Sequence, residues 1–143
     1  NYIAIHGRLD QMSYYHEQGD TVDLITTPWE SVDKDNLKSS LLEIFNIQKQ
    51  PEVNHSFKPY VLLFDEYYTD LYRISEAQAR MEKADCIIFI GTSFSVNITN
   101  MAMDIAMRNA IPVEVVDPNP VILPYSKVTY HKMTASKYIK QYS

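Results

Sequence analysis

From residue 60 onward, short unbroken apolar runs alternate with segments whose apolar residues recur at helical spacing. Residues 60–64 (YVLLF), 86–90 (CIIFI), 113–116 (VEVV) and 128–130 (VTY) read as strands. Leu71, Ile74, Gln78 and Met81 lie on one stripe of a helix predicted over 70–84. Ile98, Met101, Ala102, Ile105 and Ala106 lie on one stripe of the next, and a closing helix is predicted over 134–141. Strands apolar on both faces, alternating with amphipathic helices, predict an α/β fold: a Rossmann-like parallel sheet flanked by helices. Right-handed crossovers then bring the carboxyl end of every strand to one edge of the sheet.

The first 59 residues are less regular. Residues 2–5 (YIAI) predict a short strand that stops at His6-Gly7, and 9–15 a second. Residues 17–31, polar and broken by Gly19 and Pro28, read mostly as loop, as do 48–59. Between them 35–47 reads as a helix with Leu37, Leu41, Leu42 and Phe45 on one face and Asp33 or Asp35 available as N-cap. Neither an internal repeat nor a low-complexity tract is present in the sequence.

Composition narrows the function classes only a little. A chain of 143 residues, 45% hydrophobic and 22% charged, has the size and make-up of one globular domain. Its formal net charge of -5 gives no pull toward nucleic-acid backbones or anionic membrane surfaces. No apolar run approaches the roughly 20 residues of a membrane span. With Cys86 alone there is neither an internal disulfide nor a cysteine-cluster metal site, and an intracellular location, cytoplasmic or nuclear, is expected. The chain opens on Asn1 rather than Met, so a portion of a longer protein is expected.

Candidate chemistry gathers where the strands end. In open α/β sheets, ligands bind beyond the carboxyl ends of the strands. Four polar clusters are expected there: Asp65-Glu66, Gly91-Thr92-Ser93, Asp117-Pro118-Asn119 and His131-Lys132. Gly91 is one of three glycines in the chain, and it permits a sharp turn and a close backbone approach to a ligand. Thr92 and Ser93 offer hydroxyls and amides near a helix start, which suits a phosphate or ribose. The plainer alternative is that Gly91 ends a strand and Ser93 or Asn97 caps a helix. For Asp117 the alternatives are a ribose-binding carboxylate and a side chain that only opens the Asp-Pro-Asn-Pro turn.

The order of these pieces carries a resemblance. His6-Gly7, then Val61-Leu62-Leu63-Phe64-Asp65-Glu66, then Gly91-Thr92-Ser93-Phe94-Ser95-Val96, then Val115-Val116-Asp117-Pro118-Asn119-Pro120 resembles the carboxyl-terminal half of the sirtuin family. The likeness spans 58–120, with RISEAQARMEKAD as the helix before the Gly-Thr-Ser strand, and is thin at 3–7. It implies an NAD-dependent protein deacylase acting on acylated-lysine proteins or peptides, in which the acyl oxygen attacks the nicotinamide ribose as nicotinamide leaves. Alternatives within its reach are an NAD glycohydrolase or ADP-ribosyl transferase, and a non-catalytic NAD-binding scaffold.

Position by position, the resemblance implies roles. His6 matches the catalytic general base; Gly91, Thr92 and Ser93 match the groups that hold the ribose and phosphate region of NAD. Asp117 and Asn119 fall where the adenosine ribose is bound, and Met133 near the adenine. Val61 and Phe64 match the lining of an acyl-lysine tunnel, whereas Asp65, Glu66 and the stretch Ser95, Val96, Asn97 flank the substrate peptide. Three departures stand out. The family's zinc ribbon of two Cys-x-x-Cys pairs has no counterpart, so no metal is expected and 14–58 reads as a variable insert within a single sirtuin-like Rossmann portion over 1–143. Phe-Gly-Glu has become Phe64-Asp65-Glu66. The family's amino-terminal half, with its Gly-Ala-Gly turn, is missing, so a complementary amino-terminal segment is an expected partner.

Overall fold

The computed structural model describes residues 2–16, 23–63 and 66–142, in two compact units, Asn1–Ala77 and Gln78–Ser143. The first is built on an antiparallel sheet of strands β1 (Gly7–Tyr14), β2 (Ile25–Thr26) and β3 (Phe57–Val61), in the order β2-β1-β3. Helix α1 (Leu37–Ile44) lies between β2 and β3 in the chain. It starts two residues later than its apolar spacing suggests, because Asp33 is spent on the preceding turn: its Oδ1 accepts the Asp35 amide at 2.9 Å and its Oδ2 the Asn36 side chain at 2.8 Å. Asn36 is the N-cap residue, and neither Asp33 nor Asp35 caps the helix.

The apolar run at 60–64 is where sequence and structure part. It was expected in the parallel sheet, but the strand is Phe57–Val61 and it pairs antiparallel with β1, Gly7 opposite Val61 and Tyr14 opposite Phe57. An unbroken apolar run does not reveal the direction of its partner, and Pro59 disguises the strand's start. Pro59 is tolerated because β3 is an edge strand and the register shifts between Arg8 and Met12, opposite it. The strand expected at 2–5 is absent; instead the Gly7 amide bonds the Ala4 carbonyl at 2.8 Å in a turn, and the strand begins at Gly7.

The second unit follows the sequence closely. Helix α2 (Ile74–Glu82), which spans the boundary between the units, leads to β4 (Ile87–Ile90). Helix α3 (Asn97–Asn109) crosses to β5 (Val113–Val116), and β6 (Val128–His131) precedes α4 (Ala135–Ile139). All three strands are parallel, in the order β4-β5-β6. Burial of Ala102, Met103, Ile105 and Ala106 of α3 against Phe89, Val113 and Val115 forms the core. The connection from β5 to β6 carries no helix; Tyr125 helps close that side, donating its hydroxyl to the Ala106 and Ile111 carbonyls at 3.2 and 2.9 Å. At β4 the expected double burial fails: Ile88 and Ile90 are 46% and 43% exposed.

Candidate functional site

Register fixes the cofactor-side candidates. Ile90, Val116 and His131 occupy one row across the parallel sheet. The residues that leave it, Gly91, Asp117 and Lys132, therefore depart at one level and one edge. Two backbone bonds hold this edge: the Gly91 amide to the Val116 carbonyl at 3.0 Å, and the Asp117 amide to the His131 carbonyl at 3.2 Å. Three of the four expected clusters are thus together. The fourth, Asp65-Glu66, belongs to the first unit and follows β3, not a strand of this sheet.

Gly91 has φ +62, and a Cβ built on it meets nothing within 4 Å, so this turn leaves open space beside the backbone. The next residues are committed to each other. Thr92 Oγ1 accepts the Phe94 amide at 3.1 Å, and the Ser93 and Ser95 hydroxyls are 2.7 Å apart. Phe94 is left-handed at φ +59, held by packing of its ring against Phe89 at 4.8 Å. Neither Ser93 nor Asn97 caps α3; Val96 is its N-cap residue, with no side-chain bond. Ser95, Val96 and Asn97 are all exposed.

Asp117 Oδ1 accepts the Asn119 amide at 2.7 Å, closing the turn the motif suggests. Its second oxygen has no hydrogen-bond partner among the described residues. Met133 is half-buried, and its Sδ accepts from the Gln141 side chain at 3.6 Å. Beneath this edge, Glu114 Oε2 is 2.8 Å from His131 Nε2 and accepts the Tyr138 hydroxyl at 2.6 Å, which ties α4 to β5 and β6. Donation to that carboxylate pushes the buried Tyr138 phenol well above its ordinary value.

In the first unit, pairing brings His6 and Val61 together across 54 intervening residues. Gly7 faces Val61 in the ladder, and the Leu62 amide donates to the His6 carbonyl at 3.0 Å. Gly7 is required there: at φ +83, an added Cβ would sit 1.9 Å from the Tyr60 carbonyl oxygen. The His6 ring is exposed, its Nε2 2.8 Å from the Tyr68 hydroxyl. Sequence reasoning missed Tyr68, since 62 residues separate the pair and no local signal links them. Phe64 and Asp65 lie outside the described residues. Glu66 turns inward: it forms an ion pair with Lys58 and accepts the Leu63 amide at 3.0 Å and the Tyr72 hydroxyl at 3.4 Å. Burial opposes its ionisation, but the Leu63 amide, Lys58 and Tyr72 outweigh that and hold the carboxyl below its ordinary range.

The NAD-dependent deacetylase sir2E of Dictyostelium discoideum is 36% identical to this chain over 104 residues, 68% of this chain and 30% of that protein. The likeness, together with the ordered motifs, decides the family. This chain belongs to the sirtuin family. No family model matches the chain. The fold agrees: a structure of Sir2 with a p53 peptide and NAD+ superposes with a TM-score of 0.65 at 17% identity, over 97% of this chain and 52% of that one. Sir2Tm bound to a propionylated peptide gives 0.63 at 18% identity, over 97% of this chain and 53% of that one. The sirtuin chain described here therefore spans about half the length of those structures and 30% of the curated relative. Among the described residues of this sirtuin, no group of three or more His, Cys, Asp or Glu is placed to hold a metal ion. Nor, among them, is any helix long and apolar enough to cross a membrane.

Proposed function

We propose that this chain is the carboxyl-terminal portion of a sirtuin-type, NAD-dependent protein deacylase that removes acetyl or longer acyl groups from lysine side chains. The observation that carries the reading is the level exit of Gly91, Asp117 and Lys132 from one row of the parallel sheet. The 36%-identical relative, named an NAD-dependent deacetylase, supports it. The residues fit the cofactor: open space at Gly91 admits a ligand close to the backbone, and Asp117 keeps a carboxylate oxygen for a hydroxyl.

When bound, NAD supplies the ribose carbon that takes the acyl oxygen. Gly91, Thr92 and Ser93 would hold its ribose and phosphate region, Asp117 and Asn119 the adenosine ribose, and Met133 the adenine. His6 accepts a hydroxyl proton at a ring nitrogen, a contribution of typically 10²–10⁴ in rate. Tyr68 is a positioning residue that fixes the imidazole's orientation. Val61 and Phe64 are the residues that the family resemblance assigns to an acyl tunnel. Asp65 and the exposed Ser95, Val96 and Asn97 flank the peptide, which pairs as a strand. Glu66, its carboxylate committed to Lys58 and Tyr72, serves the peptide through its backbone. Residues 14–58 form a variable insert in place of a zinc module, and the protein works inside the cell, in cytoplasm or nucleus.

The partner is an amino-terminal segment that completes the cofactor site. Strand β4 pairs on one side with β5 among the described residues, and Ile88 and Ile90 stay exposed. A tight complex with that segment is expected, and a well-behaved 16.6 kDa monomer indifferent to it would sink the idea. Activity is tested by incubating the protein and that segment with NAD, with and without acetyl-lysine peptide. Nicotinamide release only with peptide is the expected result. Release without peptide makes the protein a glycohydrolase or transferase, and no release a scaffold.

A further inference from the structure

A cavity of about 420 Å³ opens within the first unit, among residues just past α1, strand β3, Leu63 and residues 66–72. Its volume falls in the range that holds a small organic molecule. Phe45 and Tyr72, both buried, form its floor, and Tyr67, 72% exposed, stands at its mouth beside exposed Leu63. Tyr15, Phe45, Phe57, Tyr67 and Tyr72 give the lining an aromatic share that favours a flat apolar ring.

Polarity enters through one pair. Lys58 lines the cavity with a side chain only 12% exposed, and forms its ion pair with Glu66. Glu66 already accepts from Lys58, the Leu63 amide and the Tyr72 hydroxyl. Lys58 is less fully engaged: an ammonium has three donors, and among the described residues Glu66 is its one hydrogen-bond partner. A nearly buried cation thus keeps donors in hand beside an aromatic cavity, where an acceptor gains more than it would in water. A second cation gains less, because the Lys58 ammonium repels it and the Glu66 carboxylate is already paired.

We infer that this cavity binds a small ligand consisting of an aromatic ring on a short chain ending in an acceptor oxygen, a carboxylate or an amide. The ring lies among Tyr72, Phe45 and Tyr67, and the oxygen accepts from Lys58. The inference stands apart from the deacylase reading, since it needs neither NAD nor peptide.

The test titrates the protein with 3-phenylpropionate, 3-phenylpropionamide and 3-phenylpropan-1-amine, read by calorimetry and by ligand-observed NMR. The acid and the amide are expected to bind, and the amine at least about tenfold more weakly. Leu63→Trp, at the mouth, should weaken the acid and amide by a similar factor with an unchanged far-UV spectrum. Lys58→Met should erase the preference for acid over amine. If that variant does not fold, the ranking of the three probes on the unaltered protein and the Leu63→Trp result decide the matter. Equal binding of acid and amine, indifference to Leu63→Trp, or no binding at roughly 10 mM overturns the inference.

Discussion

Replacing Gly7 by alanine should unfold the first unit far more easily than any comparable change elsewhere. The backbone at Gly7 has φ +83, a left-handed conformation that costs an L residue about 1–2 kcal/mol. The new Cβ would also lie 1.9 Å from the Tyr60 oxygen and 2.9 Å from Val61 Cα, whereas ordinary contact begins near 3.4 Å. Both obstacles are backbone, so β1 and β3 must part at this point. Parting them weakens the bond from the Leu62 amide to the His6 carbonyl and the adjoining Gly7–Val61 rung, about 0.5–1.5 kcal/mol each. The total is roughly 2–5 kcal/mol, a large share of the roughly 5–15 kcal/mol that holds a typical domain. Trp29 is the sole tryptophan and sits in this unit, its indole donating to the Leu9 carbonyl at 2.5 Å. Its fluorescence during urea unfolding therefore reports on the unit concerned. Gly91→Ala is the control: φ is +62 but nothing lies within 4 Å of the added atom, so only the left-handed penalty of about 1–2 kcal/mol applies, followed by circular dichroism. A Gly7→Ala loss below about 1 kcal/mol would refute the reasoning.

Three further outcomes are expected. His6→Ala should cut peptide-dependent nicotinamide release by about 10²–10⁴ while NAD affinity stays within a few fold, and Tyr68→Phe should cut it less and shift its pH profile; equal losses of stability and activity in His6→Ala would make the histidine structural. Asp117→Asn and Asp117→Ala should relax the preference for NAD over NADP in paired titrations, because a carboxylate near a 2′-phosphate repels it by about 4 kcal/mol at 4 Å before screening; if neither substitution shifts the preference, Asp117 serves only the turn it forms with Asn119. Glu66 ionises more readily folded than unfolded, so its stabilisation is present above the unfolded value near 4.3 and lost as pH falls through the lower folded value. Glu66→Gln should therefore lower the urea midpoint at neutral pH by an amount that shrinks below about pH 4; a pH-independent difference would contradict this.

The second unit was legible because each of its signals was local. The stripe Ala102, Ile105, Ala106 is buried as its spacing requires, and the apolar runs at 87–90 and 113–116 are strands with parallel neighbours. The first unit was obscure because its organisation is long-range. Residues 7–14 (GRLDQMSY) alternate weakly, yet they form the central strand, and their partner begins at Phe57 inside a stretch that Pro59 makes look like loop. Pairing across about fifty residues leaves no trace in local pattern. The motif His6-Gly7 was readable, but not its reason: Gly7 answers to the Tyr60 carbonyl, and the ring of His6 to Tyr68. At Gly91-Thr92-Ser93 the exit turn was readable, while the capping suggested for Ser93 is absent because its hydroxyl pairs with Ser95.

Phe94 bears on how that loop would greet a ligand. A bulky residue in the left-handed region stores about 1–3 kcal/mol of strain, sustained here by the ring's seat on Phe89. The same seat narrows the range of shapes that residues 91–96 can sample, since leaving the left-handed well means withdrawing the ring from the core. Much of the entropy that a flexible loop surrenders on binding has therefore been lost already when the chain folds. Glycine at this position would relieve the strain and free the loop at once. A more stable second unit would then go with weaker association, driven by a less favourable binding entropy while the contacts themselves stayed the same.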